Sequence, residues 1–215
     1  MEKKNIAFLG DSFTARALTP HLFSYIHPVT KLLGCNTLNF GVTGTGFQRQ
    51  NGATTFAERV ELLPEEVDYI IVFGGVNDFG PRDGIAEFDL GSAEDAVGTS
   101  SFYGQVRLTA ENLLTGYPAK KIGFITPARI STMALKEKTG TLYGRDVNSF
   151  GYTLWDYVNA IKTVCREYAI PCLDLYDNGG FNDFTLPVFT DDGLHPNELG
   201  SEFLARKIAG FIEAL

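Results

Sequence analysis

The residue types best suited to chemistry in this chain are an aspartate and a histidine, three positions apart near its C-terminal end. Asp192 and His195 flank a glycine and a leucine, and Pro196 pushes His195 out of the helical backbone region. A short turn can then bring the Asp192 carboxylate to the His195 ring. There it fixes the tautomer and stabilises the imidazolium, as in a Ser-His-Asp triad. Asp191 is the alternative carboxylate, but its spacing to His195 is worse.

A serine stands near the other end of the chain, in Gly10-Asp11-Ser12. This tripeptide follows the apolar run Asn5–Leu9, which has the pattern of a buried strand. Ligands bind at the carboxyl ends of parallel strands, and a residue that begins a helix points its N–H at a nearby anion. The competing interpretation is a helix cap, which is favoured for the tripeptide alone because Asp and Ser are common there.

Two further segments follow strand-like runs. The first carries Gly41, Gly44 and Gly46, where the backbone can approach a ligand closely. Its glycine spacing differs from that of dinucleotide-binding sequences and no P-loop lysine follows, so a plain turn is an equal alternative. The second, Gly-Gly-Val-Asn-Asp after Tyr69–Phe73, places the Asn77 amide where it can donate to a developing oxyanion or form an ordinary Asx turn.

The elements that must position these residues alternate between strand and helix. Continuous apolar runs, typical of strands buried on both faces, predict strands over Asn5–Leu9, Thr37–Phe40, Tyr69–Phe73, Lys121–Thr126 and Pro171–Leu175. Helical patterns cover Arg16–Leu33 (interrupted by two prolines), Thr54–Leu63, Tyr103–Leu114, Thr153–Tyr168 and a last helix after Asn197, with Leu199, Phe203, Leu204, Ile208 and Phe211 on one side. This alternation predicts a three-layer α/β/α fold, and 215 residues fit one domain over 1–215.

Composition narrows the classes of partner and site. The net charge of −8 predicts a surface that repels phosphate backbones and anionic lipids, so we expect neither nucleic acid nor a membrane as partner. Cys35, Cys165 and Cys172 are too few and too widely spaced for a disulfide framework, which predicts buried free thiols. The sequence lacks the CxxC and HxxxH spacings of metal sites, a secretory leader and a transmembrane run, so we expect a cytoplasmic protein without a metal.

Together, these segments resemble the SGNH/GDSL hydrolases. That family is marked by Gly-Asp-Ser near the N-terminus, a glycine in a second block, Gly-x-Asn-Asp in a third and Asp-x-x-His near the C-terminus. The matching blocks span residues 6 to 196, and Phe13 stands where the first block usually ends in Leu. The resemblance implies a flavodoxin-like fold with a mainly parallel five-stranded sheet. It also implies that Ser12 is the nucleophile, His195 its general base and Asp192 the residue that orients His195.

The same resemblance implies an oxyanion hole made by the Ser12 N–H, the Gly44 N–H and the Asn77 side chain. Gly41 is the alternative to Gly44 as the residue of the second block. Each donor of this kind is typically worth about 3–4 kcal/mol of transition-state stabilisation. No cofactor is expected, because the chemistry needs only the protein's own side chains and water.

The expected reaction is hydrolysis of an acyl ester through an acyl-enzyme, on a small molecule or a carbohydrate. The acidic surface and the lack of a long apolar lid favour a short acyl group such as acetyl. The alternatives are a lipase- or thioesterase-type acylhydrolase on longer chains, a non-catalytic carbohydrate-binding domain on the same fold, and a nucleotide- or flavin-binding domain.

Other side chains and two long loops are candidates for contact with substrate. The aromatic residues near the predicted mouth can either touch a substrate or pack in the core: Phe13, Phe47, Phe79, Tyr103 and Tyr143. The connections Gly80–Ser101 and Ala128–Gly151 are longer than usual, and such loops often serve as lids or binding loops. Asp11 and Asp78 are expected to hold the turns beside Ser12 and Asn77.

Overall fold

The sheet is built from runs of apolar residues that are buried on both faces. In the computed structural model, which describes residues 3–50, 52–80, 89–130, 147–148 and 150–215, the strands are β1 (Asn5–Gly10), β2 (Asn36–Gly41), β3 (Tyr69–Phe73), β4 (Lys121–Ile125) and β5 (Cys172–Leu173). They lie in the order β2-β1-β3-β4-β5, and every pairing between them is parallel. The predicted five-stranded parallel sheet is therefore confirmed.

The register of the strands brings their carboxyl ends together. Gly10 at the end of β1 pairs with Gly41 of β2 and with Phe73 of β3, and Phe73 pairs with Ile125 of β4. The segments that follow these residues leave the sheet at one edge, so residues far apart in sequence meet there.

Helices cover both faces of this sheet. Within the described residues they are α1 (Ser12–Ala15), α2 (Ile26–Leu33), α3 (Phe56–Arg59), α4 (Val76–Phe79), α5 (Phe102–Gly116), α6 (Leu154–Glu167), α7 (Leu175–Asn178), α8 (Leu186–Phe189) and α9 (Glu198–Ala214). α2 packs against α9, whereas α5 packs against α3 and α6, which gives the predicted three-layer α/β/α arrangement. None of the helices in this part of the chain combines the length and apolar character needed to cross a bilayer.

Two of the predicted helices are interrupted. The pattern over Arg16–Leu33 gives only a 3₁₀ turn, Arg16–Leu18, and then α2, which begins at Ile26. The pattern over Thr54–Leu63 gives α3, capped by Thr55, and a second 3₁₀ turn. In the first case Pro20 breaks the helix, because proline removes a backbone donor and clashes with the preceding turn.

The ends of the chain's last strand and last helix also differ from the prediction. The strand predicted over Pro171–Leu175 shortens because the Asp174 side chain accepts the N–H of Asp177 at 3.0 Å and caps α7. In α9 the prediction was wrong for Leu199, which is 52% exposed. The neighbouring Gly200 is the residue that packs against α8 here, because a Cβ on it would lie 2.1 Å from the Phe189 carbonyl oxygen.

The three cysteines are free thiols, as predicted, but they are not equally buried. Cys35 and Cys165 are buried, whereas Cys172 is half-buried because β5 is an edge strand. The expectation of three buried thiols was therefore wrong for Cys172.

The two long connections fall partly outside the described residues, namely at 81–88 in the first and at 131–146 and 149 in the second. Their role as lids therefore stays a prediction. The described end of the first connection is tied to the body of the protein, because the Gln48 side-chain amide donates to the carbonyls of Asp89 (2.9 Å) and Ser100 (3.0 Å).

Candidate active site

Ser12 is the first residue of α1 and lies directly beyond the end of β1. Asp11, not Ser12, caps the helix, because its carboxylate accepts the Phe13 N–H at 2.9 Å. The Ser12 hydroxyl is therefore not needed for capping, and its Oγ lies 3.0 Å from His195 Nε2. Two residues separated by 183 positions are thus brought into hydrogen-bond contact.

His195 is held by the loop that precedes α9, and Asp192 shapes that loop. One Asp192 carboxylate oxygen accepts the N–H groups of Leu194 (2.9 Å) and His195 (2.7 Å). The other lies 2.7 Å from His195 Nδ1. A carboxylate can only accept here, so this contact places the proton on Nδ1 and leaves Nε2 as an acceptor for the Ser12 hydroxyl.

The charge of Asp192 is favoured by these contacts. Partial burial by itself raises the pKa of this carboxyl, but the hydrogen bonds from His195 and from the two backbone N–H groups outweigh it. The net pKa is below the ordinary value, so Asp192 is ionised at neutral pH. The alternative carboxylate, Asp191, instead has its Oδ1 3.5 Å from the Asn197 amide.

Asn77 is hydrogen-bonded to the loop after β2 that carries Gly44. Gly44 occupies the third position of a turn from Val42 to Thr45 with φ +75°, a conformation that favours glycine. The Asn77 amide donates to the Thr45 carbonyl at 2.9 Å, and its second contact, with Asp11 Oδ2, is long at 3.4 Å. The Asn77 side chain thus links the segment after β3 to the segments after β1 and β2.

Gly41, the alternative residue of the second block, has a packing role. It ends β2, and a Cβ built on it would lie 2.3 Å from the backbone nitrogen of Ala15 in α1. The close approach of β2 and the helix that begins with Ser12 therefore requires a glycine at position 41.

Asp78 holds the backbone of the loop after β2. The prediction was that it holds the turn beside Asn77. Its carboxylate accepts the N–H groups of Phe47 (3.2 Å) and Gln48 (2.7 Å). A Cβ on Gly46 would lie 2.3 Å from an Asp78 oxygen, so the loop and the carboxylate fit together only with glycine at position 46. Asp11 does hold the turn at Ser12, as predicted.

Asp11 and Asp78 are both completely buried, and burial raises the pKa of each to about 7 from the ordinary 3.8. The backbone N–H groups that they accept oppose this shift, whereas the proximity of Asp78 raises the pKa of Asp11 further. Two carboxyl groups with such pKa values make the stability of the protein depend on pH near neutrality.

Asp78→Asn is expected to flatten the pH dependence of stability between about pH 5 and 7. The unfolded chain releases this proton near pH 3.8, whereas the folded protein keeps it to about pH 7, so stability falls as pH rises through this window. One such group contributes a slope of up to about 1.4 kcal/mol per pH unit. Urea unfolding at several pH values measures it, with Asp183→Asn at an exposed position as the matched control. An unchanged slope in Asp78→Asn contradicts the expectation.

Arg59 is a buried residue of this region that the sequence reasoning missed. Its guanidinium donates to the carbonyls of Gly10 (3.1 Å) and Phe40 (2.5 Å) and to the Thr45 hydroxyl (2.8 Å). Burial lowers its pKa to about 10, with the charge of Asp11 opposing, so it stays cationic at neutral pH. The Arg59 side chain thus links the end of β1, which precedes Ser12, to the loop that carries Gly44.

The candidate aromatic residues are mainly core residues. Phe47 and Phe79 are buried at 1% exposure each and pack against other aromatic rings. Tyr103 is half-buried under the Arg107 guanidinium, and Tyr143 lies outside the described residues. Phe13 is buried too, but its ring centroid lies 5.7 Å from that of His195, so it supports the site directly.

The described part of the chain contains no group of three or more His, Cys, Asp and Glu side chains that could hold a metal ion. The arrangement at the sheet edge consists of a hydroxyl, an imidazole and a carboxylate in one hydrogen-bonded series. Such a series can move a proton from the hydroxyl to the imidazole and so turn a serine into a nucleophile.

Comparison with known proteins gives a family match and several similar structures. The model of the GDSL-like lipase/acylhydrolase family matches residues 8–203. A protein from Lactobacillus plantarum is similar in structure, with a TM-score of 0.83 and 28% identity over 100% of this chain and 98% of that one. A search of curated proteins returns no match.

Two more distant structures share the fold. One is the lipase/acylhydrolase from Enterococcus faecalis, with a TM-score of 0.65 and 21% identity over 98% of this chain and 96% of that one. The other is a variant of an acetyl-xylooligosaccharide esterase from Geobacillus, with a TM-score of 0.64 and 18% identity over 99% of this chain and 95% of that one.

Proposed function

Because the chain belongs to the GDSL-like lipase/acylhydrolase family, we propose that it hydrolyses a carboxylic ester, with Ser12 as nucleophile, His195 as general base and Asp192 as the residue that orients His195. The observation that carries this proposal is the hydrogen-bonded series from Ser12 Oγ to His195 Nε2 (3.0 Å) and from His195 Nδ1 to Asp192 (2.7 Å). A non-catalytic binding domain on the same fold has no need of this series.

The reaction proceeds in two acyl transfers. Ser12 Oγ attacks the ester carbonyl carbon while its proton moves to His195 Nε2, and the resulting imidazolium is stabilised by Asp192. His195 then gives that proton to the departing alcohol oxygen, which leaves the acyl group on Ser12. Water attacks the acyl-enzyme while His195 accepts its proton. The bond between the acyl carbon and Ser12 Oγ then breaks, His195 returns that proton to Ser12 Oγ, and the carboxylic acid leaves.

The negative charge that develops on the carbonyl oxygen is held by N–H donors. In this proposal they are the N–H groups of Ser12 and Gly44 and the Asn77 amide. One hydrogen of that amide is committed to the Thr45 carbonyl at 2.9 Å. The other is held only by the 3.4 Å contact with Asp11, which exceeds the usual range, so it is the hydrogen available to an oxyanion.

We infer a short acyl group, such as acetyl on a carbohydrate or another small molecule, as the group removed. The acidic surface, with a net charge of −8, disfavours anionic lipid surfaces. The similarity to an acetyl-xylooligosaccharide esterase supports this choice, and the similarity to a lipase/acylhydrolase supports the alternative of a longer acyl chain. The protein's partner in this proposal is the ester alone, without nucleic acid, membrane or cofactor.

A fluorophosphonate probe tests the proposal directly, because it reacts covalently with activated serines. Labelling is expected at one site, and the modified peptide should contain Ser12. His195→Ala should slow labelling strongly, because the general base is lost. His27→Ala, which removes an exposed histidine whose ring contacts the Ala17 carbonyl (3.2 Å) and not Ser12, is the matched control and should label at the normal rate. Absence of labelling in folded protein, or labelling at another serine, contradicts the proposed nucleophile.

A further inference from the structure

The three donors proposed for the oxyanion lie on three different segments, and one buried side chain is bonded to two of these segments. The Ser12 N–H follows β1, the Gly44 N–H lies in the loop after β2, and the Asn77 amide follows β3. The buried Arg59 guanidinium, at the end of α3, donates to the last carbonyl of β1 (3.1 Å) and to the Thr45 hydroxyl in the loop after β2 (2.8 Å). The segments must keep fixed relative positions if their donors are to converge on one oxygen.

Thr45 is fully buried, and its contacts reach two of the proposed donors. Its hydroxyl accepts from Arg59 and donates to the Val42 carbonyl at 2.7 Å, and this second bond spans the turn that contains Gly44. Its backbone carbonyl accepts from the Asn77 amide at 2.9 Å. The placement of the Gly44 N–H and that of the Asn77 side chain therefore both depend on Thr45.

Arg59 is itself held in place by the helix that carries it. The centre of its guanidinium lies 4.9 Å from the centroid of the Phe56 ring, at the start of α3. The Phe56 N–H donates to the Gly46 carbonyl at 3.0 Å, and a Cβ on Gly74 would lie 2.4 Å from the Phe56 ring. The base of the guanidinium is therefore fixed to the loop after β2 and to the segment after β3.

Packing alone does not account for a cation at position 59. Among the described residues, none accepts a hydrogen bond from Arg59 Nε, although this atom is buried. A buried charge with an unpartnered N–H costs folding free energy. What the guanidinium supplies, and an apolar side chain would not, is a planar fork of donors with fixed directions.

We propose that Arg59 is a positioning residue for the oxyanion hole. Through Thr45 it fixes the loop after β2 against the end of β1, so that the Gly44 N–H and the Asn77 amide converge with the Ser12 N–H. A misplacement of about 1 Å near a reacting centre can cost roughly 100-fold in rate. Because these donors act on charge that develops only in the transition state, their misplacement lowers kcat and kcat/KM together. This inference rests on the proposed ester hydrolysis at Ser12.

Arg59→Lys tests this role, because lysine keeps the charge but replaces the planar fork by a single nitrogen. Both kcat and kcat/KM for p-nitrophenyl acetate are expected to fall by about 100-fold, with KM little changed. Thr45→Val deletes only the hydroxyl that accepts from Arg59, and kcat is expected to fall by roughly 10- to 100-fold. Because Arg59 acts through Thr45, the loss in the double variant should be clearly smaller than the product of the two single losses.

Leu113→Ala is the control for lost stability. Leu113 is fully buried near the end of α5, the helix that leads into the start of β4, and so lies towards the edge of the sheet opposite Ser12. Loss of a buried leucine leaves a cavity and destabilises the protein. Its kcat is nevertheless expected to equal that of the unmodified protein, because no donor-bearing segment is disturbed. Urea unfolding of each variant measures how far stability has fallen.

The outcomes separate this inference from the proposed function. An unchanged kcat in either Arg59→Lys or Thr45→Val, losses that multiply in the double variant, or an equal loss in Leu113→Ala overturns the inference, whereas labelling of Ser12 in the unmodified protein still supports ester hydrolysis. If Arg59→Lys does not fold, Thr45→Val decides alone, and an unchanged kcat again overturns the inference. If the unmodified protein shows neither ester hydrolysis nor Ser12 labelling, both proposals fail.

Discussion

Ser12→Ala is expected to remove ester hydrolysis almost completely while leaving the fold intact. The substitution deletes the oxygen proposed as nucleophile, and loss of the serine from a comparable triad costs roughly 10⁶-fold in kcat. The Ser12 hydroxyl is directed at His195, whereas the N-terminus of α1 is capped by Asp11. The free energy of unfolding should therefore change little. Hydrolysis of p-nitrophenyl acetate and urea unfolding of the same preparation measure both quantities.

Ser101→Ala is the matched control for this experiment, because Ser101 is a buried serine that caps α5. Its loss is expected to cost about 1 kcal/mol of stability, the usual value of such a cap, and to leave kcat unchanged. Ser12→Ala is thus expected to lose activity and keep its stability, whereas Ser101→Ala is expected to lose stability and keep its activity. A Ser12→Ala protein that keeps its activity rules out Ser12 as the nucleophile.

The parts of the site that were predictable from the sequence are those formed by local contacts. Asp192 and His195 lie in one short loop, so their spacing alone indicates that the carboxylate can reach the ring. The contact with Ser12 is not local, and it was predictable only because parallel strands end at one edge. The register of Gly10 with Gly41 and Phe73 provides that edge.

The burial of Arg59 and the early end of β5 were not predicted from the sequence. A charged residue in a short helix is usually exposed, and the burial of Arg59 results from carbonyls of Gly10 and Phe40 that lie 49 and 19 positions away. The available signal was its place beside Phe56 and Val60 on an otherwise apolar face. In β5 the apolar run was correctly placed, but the capping side chain of Asp174 ends the strand early.

Asp192→Asn is expected to lower kcat by about 10⁴-fold, as the equivalent change does in a serine protease triad. The amide oxygen can still accept the N–H groups of Leu194 and His195, so the loop should keep its shape. The amide nitrogen then faces His195 Nδ1, which must give up its proton to accept from it. The remaining ring proton moves to Nε2, where it faces the Ser12 hydroxyl and prevents the ring from acting as a base.

Asp191→Asn makes the same change one position earlier and is the matched control. Asp191 is exposed and lies near the Asn197 amide rather than near His195, so its kcat should be unchanged. A measurement of kcat for both variants against pH tests this role of Asp192. If Asp192 fixes the tautomer, the loss persists at every pH, because raising the pH does not return the proton to Nδ1. An equal loss in Asp191→Asn would show that the loop, and not the contact with Nδ1, is what the histidine requires.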